Sequence, residues 1–247
     1  MAVPQTAPLV TTASVRHSLV VRVTHWINAL CFFALLVSGI ELVISHPRFY
    51  WGEDGHSLTP SLFDIPIPAS RAHVKTGYDF VLPDQNGWSR SLHFQTAWIV
   101  VFTGLLYAGF SLRSGHLRRG LLPAAADLSR ARLWRAFVNH LRFAPPGQEE
   151  VWSYNVLQRL AYVFVIFGLF PLMIWTGLAM SPAITAAFPF LVEVVGGQQS
   201  ARTLHFFATV ALVAFFFVHV LMVYIAGFRN RVGTMITGRA EAQEEHR

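Results

Sequence analysis

The amino-acid sequence predicts an all-α membrane protein: a four-transmembrane-helix bundle with cytoplasmic N- and C-termini, a long outer loop and short interfacial helices. Three observations predict it. Of 247 residues, 53% are hydrophobic and only 13% charged, where a soluble domain carries about 25% charged residues, and the mean hydropathy is +0.44. Four apolar stretches, about residues 23–44, 92–112, 156–180 and 203–228, each reach the roughly 20 residues that a spanning helix needs. The basic residues are also distributed asymmetrically. Two arginines precede the first span, seven lie in 113–142 and four in the C-terminal tail, against five Lys or Arg in the segments between. Positive charge concentrates on the cytoplasmic side of a membrane protein, so both termini are expected inside. This distribution accounts for the net charge of +6 without a nucleic-acid partner.

Each element follows in order. Residues 1–22 are a cytoplasmic N-terminal tail, the first fifteen small and polar-leaning and expected to be mobile. The membrane domain covers 23–228. Its first apolar run is too long for the core of a signal peptide and lacks a following small-residue cleavage site. Cys31, the only cysteine, excludes an intrachain disulfide, an iron–sulfur cluster built by this chain and a C-x-x-C-H attachment; it reads as a packing residue. Glu41 is the only carboxylate inside a span, and solvation at the interface is its expected state. The outer loop 45–91 carries Trp51, Gly52, Gly55, Pro60, Pro66, Pro68, Pro83, Gly87 and Trp88. That mixture is turn-rich yet aromatic, so the loop is expected to fold and to offer a docking face. The inner loop 113–150 holds a basic amphipathic stretch over 128–143, with Leu133, Trp134, Phe137, Val138 and Leu141 at helical spacing before Pro145 and Pro146; it is expected on the inner membrane surface. Pro171 predicts a tolerated kink in the third span. Residues 183–195, with Pro189 and Glu193, are too short to span and read as interfacial. Residues 229–247 are a cytoplasmic tail with a solvated end.

Four of the eleven histidines, His25, His93, His205 and His219, lie within the apolar stretches. Ionisable residues there are costly and mark function. His205 and His219 are fourteen residues apart, about 21 Å and about 3.9 turns of helix. One helix thus presents two imidazoles on nearly one face, near opposite membrane surfaces. The alternating directions of the spans put His25 and His219 at inner depth and His93 and His205 at outer depth; the third span has none. Facing imidazoles without nearby Cys, Asp or Glu suit the axial positions of haem iron. Zinc wants three or four protein ligands and copper a tighter cluster. The expectation is two haem b groups, an inner one on His25 and His219 and an outer one on His93 and His205. With both axial positions filled they carry electrons rather than bind oxygen. Any one of these histidines alone is equally explained by an interhelical hydrogen bond; the shared spacing and depth favour haem. Arg22, Arg90 and Arg202 precede His25, His93 and His205 by three residues. That places each about 4.5 Å nearer the surface on the same face, where a haem propionate would meet it. Snorkelling is the alternative, strongest for Arg22 on the Arg-rich flank.

The segment Arg22-Val23-Thr24-His25-Trp26, the pair Leu92-His93, and His205 with His219 fourteen residues on resemble the bacterial di-haem cytochrome b family. That family anchors formate dehydrogenases, nickel–iron hydrogenases and thiosulfate reductases. The resemblance covers about residues 20–230. The outer loop, with Tyr50-Trp51-Gly52 and Phe63-Asp64-Ile65-Pro66, is most similar to the thiosulfate-reductase-type branch. The resemblance implies a multi-pass protein of the bacterial inner (cytoplasmic) membrane. It also implies a quinone pocket near the inner haem, lined by a Tyr-Asn-x-x-Gln-Lys/Arg pattern. Here Tyr154, Asn155, Gln158 and Arg159 match it. Asn and Gln offer donors and acceptors to a quinone carbonyl. Without the resemblance, an amphipathic helix start capped by Asn155, with Arg159 snorkelling, explains the same residues.

The expected function is electron transfer across the membrane between a periplasmic redox partner and the quinone pool. The chain shows no nicotinamide or flavin fingerprint, so substrate chemistry belongs to another subunit. By resemblance that subunit is a molybdopterin oxidoreductase docked on the outer loop. Two alternatives stand beside it. One is a self-contained cytochrome b acting on a small molecule such as superoxide at the outer haem, which needs an open basic mouth instead of a large loop. The other is a non-redox four-helix transporter or structural protein, which lacks b-type optical bands.

Overall fold

A segment in a bilayer has to satisfy its backbone internally, and the helix does this within one span. The computed structural model describes residues 17–56, 58–66, 87–123, 125–141 and 156–239. Its four long apolar helices are α1 (Leu19–Ser45), α2 (Gly87–Arg113), α4 (Val156–Ala179) and α7 (Gln198–Ile225). Three of them begin before the apolar stretch does. Ser18 starts α1 by accepting a hydrogen bond from the Val21 amide at 3.4 Å. Polar first turns likewise extend α2 and α7 by five residues each beyond the hydropathy boundary. Hydropathy reads the part of a helix that meets lipid, not the part that caps it. The tail 1–16, the loop segment 67–86, the stretch 142–155 and residues 240–247 lie outside the described residues.

The bundle is two antiparallel pairs. Within α1 and α2, Ser38 faces His93, and ten residues away on each helix Thr103 donates to Asn28 Oδ1 at 3.0 Å. Within α4 and α7, Thr176 faces His205, and fourteen residues away on each helix Tyr162 meets His219. Close backbone packing runs within each pair. Between pairs, long side chains make the contact. Phe32 stacks on Phe216 at 5.1 Å, and a small core of Val165, Leu169 and Leu212 gathers Phe32, Phe170, Met173 and Phe215. Cys31 is buried in α1, in keeping with a packing role. In α4 the helix widens to a π turn over Val165–Leu169, where the Phe170 amide reaches back to the Val165 carbonyl. Pro171 follows directly. Its missing amide and its ring disturb the preceding turn, and a π turn is a common accommodation.

The end of the bundle away from the termini is clamped. Strands β1 (Arg48–Phe49) and β2 (Phe63–Asp64) pair antiparallel and lay Phe49, 1% exposed, on Phe63 and Phe206. The loop beyond β1 then caps α7. The Gly52 carbonyl accepts from the Gln199 and Ser200 amides, the Glu53 carboxylate from the Gln198 amide at 3.0 Å, and Ser200 Oγ from the Gly52 amide at 2.8 Å. Three of the orphan donors of a helix start are thus satisfied by one loop. Gly197 sits between them at φ +111, where a Cβ would lie 2.4 Å from the Gly52 carbonyl. The short helices α5 (Pro182–Ala187) and α6 (Phe190–Glu193) occupy residues read as interfacial; Trp175 Nε1 donates to the Leu191 carbonyl and ties α6 back.

The end carrying the termini has an element that the sequence reading left as tail. Gly227, in a left-handed conformation at φ +92, turns the chain into α8 (Phe228–Thr237). Arg22 of α1 donates to the Ile236 carbonyl at 2.7 Å and Trp26 Nε1 to the Met235 carbonyl at 3.3 Å. These satisfy carbonyls that a helix C-terminus leaves open. Between α2 and α4, α3 (Arg130–Leu141) exposes Trp134 and Phe137, the faces expected of an amphipathic interfacial helix.

Two predictions follow from these contacts. Gly197→Ala is expected to cost about 2 kcal/mol or more and to lower the thermal unfolding midpoint in detergent. Gly104→Ala, whose Cβ meets nothing within 4 Å, should change stability by no more than about 1 kcal/mol; equal melting of the two variants would contradict the clamp. Arg22→Leu should loosen α8, read as faster limited proteolysis within residues 228–239. Unchanged cleavage would mean that α8 is held by other contacts.

Candidate functional site

The two helix pairs bring the four membrane histidines together two by two. His25 of α1 and His219 of α7 lie with ring centroids 6.3 Å apart and planes at 54°. His93 of α2 and His205 of α7 lie 6.2 Å apart at 56°. An imidazole nitrogen sits about 2.0 Å from a first-row metal ion and about 1.2 Å from its own ring centroid, so two rings on opposite sides of one iron have centroids about 6.4 Å apart. Both pairs match that separation. Direct imidazole contact would bring the rings closer. Among the described residues no three His, Cys, Asp or Glu side chains gather as a metal site. His116, just beyond α2, packs on Tyr107 and Phe110 instead of on another histidine, and burial pulls its imidazole below the ordinary pKa.

The His93–His205 pair is held from behind. Ser38 Oγ lies 3.0 Å from His93 Nδ1 and donates its hydrogen to the Ala34 carbonyl at 2.7 Å. Thr176 Oγ1 lies 2.9 Å from His205 Nδ1 and donates to the Leu172 carbonyl at 2.7 Å. Each hydroxyl has one hydrogen. With that hydrogen committed to the backbone, the oxygen accepts, so each histidine carries its proton on Nδ1. Nε2 is left with a lone pair for a metal. Ligating histidines are oriented in this way in metal sites generally. The next residue is glycine in both cases: a Cβ on Gly39 or Gly177 would lie 3.5 Å or 3.6 Å from the imidazole Cε1. The rings therefore rest on a hydroxyl–glycine step of the neighbouring helix.

The His25–His219 pair is set among rings instead. Trp26 meets His25 edge-on at 5.3 Å, Phe215 stacks on His219 at 5.7 Å, and Tyr162 approaches His219 at 6.5 Å. His25 Nδ1 is buried without a hydrogen-bond partner.

The three arginines are placed differently from one another. Arg22 is engaged by the Ile236 carbonyl. Arg202 donates to the His46 carbonyl, contacts Gln199 and lies 4.8 Å above the Phe49 ring. Arg90 is exposed at the start of α2. A guanidinium has five N–H donors, so the bonds of Arg22 and Arg202 leave others for a carboxylate. Of the quinone-pattern residues, Tyr154 and Asn155 lie outside the described residues. Gln158 and Arg159 stand in the first turn of α4, at the His25–His219 end, and Arg159 donates to the Leu122 carbonyl at 3.2 Å.

Sequence reasoning missed Ser38, Thr176 and Tyr162. A signal existed for each. Ser38-Gly39 and Thr176-Gly177 are polar–small steps in apolar helices, a mark of close helix contact. Tyr162 continues the four-residue spacing of Tyr154 and Gln158, which keeps one helix face.

Comparison with known proteins gives the family. A putative protein-methionine-sulfoxide reductase subunit YedZ1 of Azospira oryzae is 31% identical over 82% of this chain and 86% of its own length. Probable Ni/Fe-hydrogenase B-type cytochrome subunits of Cupriavidus necator and Rhodobacter capsulatus are 26% and 25% identical, over 88% and 91% of this chain and 83% and 80% of their own lengths. No solved structure matches. The model of the prokaryotic cytochrome b561 family matches residues 16–238, and with its four apolar helices the chain belongs to that family of membrane electron-transfer cytochromes.

Proposed function

We propose that this chain is a di-haem cytochrome b subunit that passes electrons across the bacterial inner membrane between the quinone pool and a periplasmic redox partner. The observation that carries the reading is the pair of imidazole separations, 6.3 Å and 6.2 Å. Each matches two axial ligands of one iron and lies at an opposite end of the same bundle. Bound haem supplies a one-electron ferric–ferrous couple. The chain's own residues do the rest. His25 and His219 hold one group, His93 and His205 the other, and the Nδ1 bonds to Ser38 and Thr176 keep the outer ligands oriented. Arg22, Arg90 and Arg202 meet the propionates at the two ends.

The end with His25 and His219 is proposed as cytoplasmic, because the arginines concentrate there. A quinone site is assigned to that end on the sequence pattern of Tyr154, Asn155, Gln158 and Arg159; Gln158 stands in the first turn of α4 and Tyr162, one turn on, meets His219. The opposite end, roofed by β1, β2 and the 50–56 loop, faces the periplasm and docks the partner. The names of the relatives, a methionine-sulfoxide reductase subunit and hydrogenase cytochromes, support an oxidoreductase as that partner. The resemblance read from the outer loop favours a molybdopterin-dependent one.

Purified protein is expected to hold two haems per chain by pyridine haemochrome. His205→Ala should retain one while preserving the fold by circular dichroism. Loss of both haems from a folded variant would contradict the pairing, and the absence of b-type bands from the wild type would sink the function. Gln158→Ala should slow quinol oxidation or quinone reduction by about ten-fold or more with both haem spectra intact; unchanged kinetics would dismiss this quinone site.

A further inference from the structure

Hydrogen bonding to the two histidine pairs is one-sided. His93 and His205 both donate from Nδ1 to a hydroxyl that passes its own hydrogen to a backbone carbonyl. Ser38 and Thr176 are both 0% exposed, so no water competes for these bonds. Among the described residues neither His25 nor His219 has such an acceptor. Their neighbours are the rings of Trp26, Phe215 and Tyr162, and His25 Nδ1 is buried without a partner.

This difference has a sign. An imidazole whose N–H is held by an acceptor gains electron density and ligates more strongly through its other nitrogen. Stronger donation favours the more highly charged state of the metal, and hydrogen bonding behind axial ligands is one of the levers on haem potential. Charges do not cancel the effect. Arg22 and Arg202 each stand three residues before one ligand, so each site has one such guanidinium. Arg90 is exposed, where solvent and salt screen it.

We infer that Ser38 and Thr176 are positioning residues that make the His93–His205 site the lower-potential of the two and the His25–His219 site the higher. The inference rests on the two-haem reading above. Transfer of one electron from the first site to the second is downhill, oxidising iron at one and reducing iron at the other, with no bond or proton exchanged at either. Proton-coupled chemistry is left to the quinone at the Gln158 end.

The test is an optical redox titration of the purified, haem-loaded full chain. The wild type should titrate in two one-electron steps. His205→Ala should keep only the upper step. Ser38→Ala and Thr176→Val should each raise the lower step, on the order of ten-fold in its reduction equilibrium or about 59 mV, and leave the upper one in place. The conservative Ser38→Thr and Thr176→Ser should hold the lower step near its wild-type position, which a merely structural loss would not do. A lower step left in His205→Ala, an upper step that moves with Ser38 or Thr176, or two steps indifferent to both hydroxyls overturns the inference and leaves the two-haem reading standing. One haem per wild-type chain overturns both.

Discussion

The rest of the structure depends on one constraint: inside an apolar bundle every polar group has to find its partner within the protein. The backbone meets it by forming helices. Among the described residues the buried polar side chains are then Ser and Thr, at Thr24, Ser38, Thr96, Thr103, Thr176 and Thr203 among others. Three of them, Thr24, Ser38 and Thr176, return their hydrogen to their own helix one turn back. This habit satisfies the donor locally and leaves the oxygen as an acceptor for the next helix. Two imidazoles face that acceptor through Nδ1. The same bonds fix the register within each antiparallel pair.

The ends of the bundle obey the rule in another way. Helix termini leave amides and carbonyls open, and the chain closes them with its own loops and guanidiniums. The 50–53 loop covers the start of α7, Arg202 reaches the carbonyl just past α1, and Arg22 reaches the last turn of α8. Both arginines stand one turn from a membrane histidine. They therefore join the helix ends to the histidine sites. Displacing one would disturb local capping and the charge near the site together. The Phe49, Phe63 and Phe206 rings complete the roof over His205, adding apolar burial where the helix leaves the lipid-facing zone.

Membership of the prokaryotic cytochrome b561 family accounts for the bundle and its haem chemistry, but individual residues give this chain its asymmetry. One histidine pair is held by hydroxyls and the other by aromatic faces. The π turn before Pro171 serves the same geometry. It places Val165 and Leu169 in the small core between the two pairs while Tyr162 and Thr176 each still meet a histidine on α7.

Much of this was legible in the sequence, for a physical reason. Spans announce themselves because lipid demands about twenty apolar residues. The histidines announce themselves because they are costly there, and a spacing of fourteen on one helix reports face and depth without any knowledge of neighbours. What the sequence could not decide was which oxygen stands behind which ring. Ser38 and His93 are fifty-five residues apart, and Thr176 and His205 twenty-nine, so only the register of two packed helices brings them together. Nor could it decide the work of Arg22, whose carbonyl partner lies 214 residues away on a short polar helix that hydropathy does not register. Local periodicity determined the spans, the depths and the ligand types. Tertiary packing alone decided the hydrogen bonds behind the ligands, because those depend on how helices meet rather than on how each is composed.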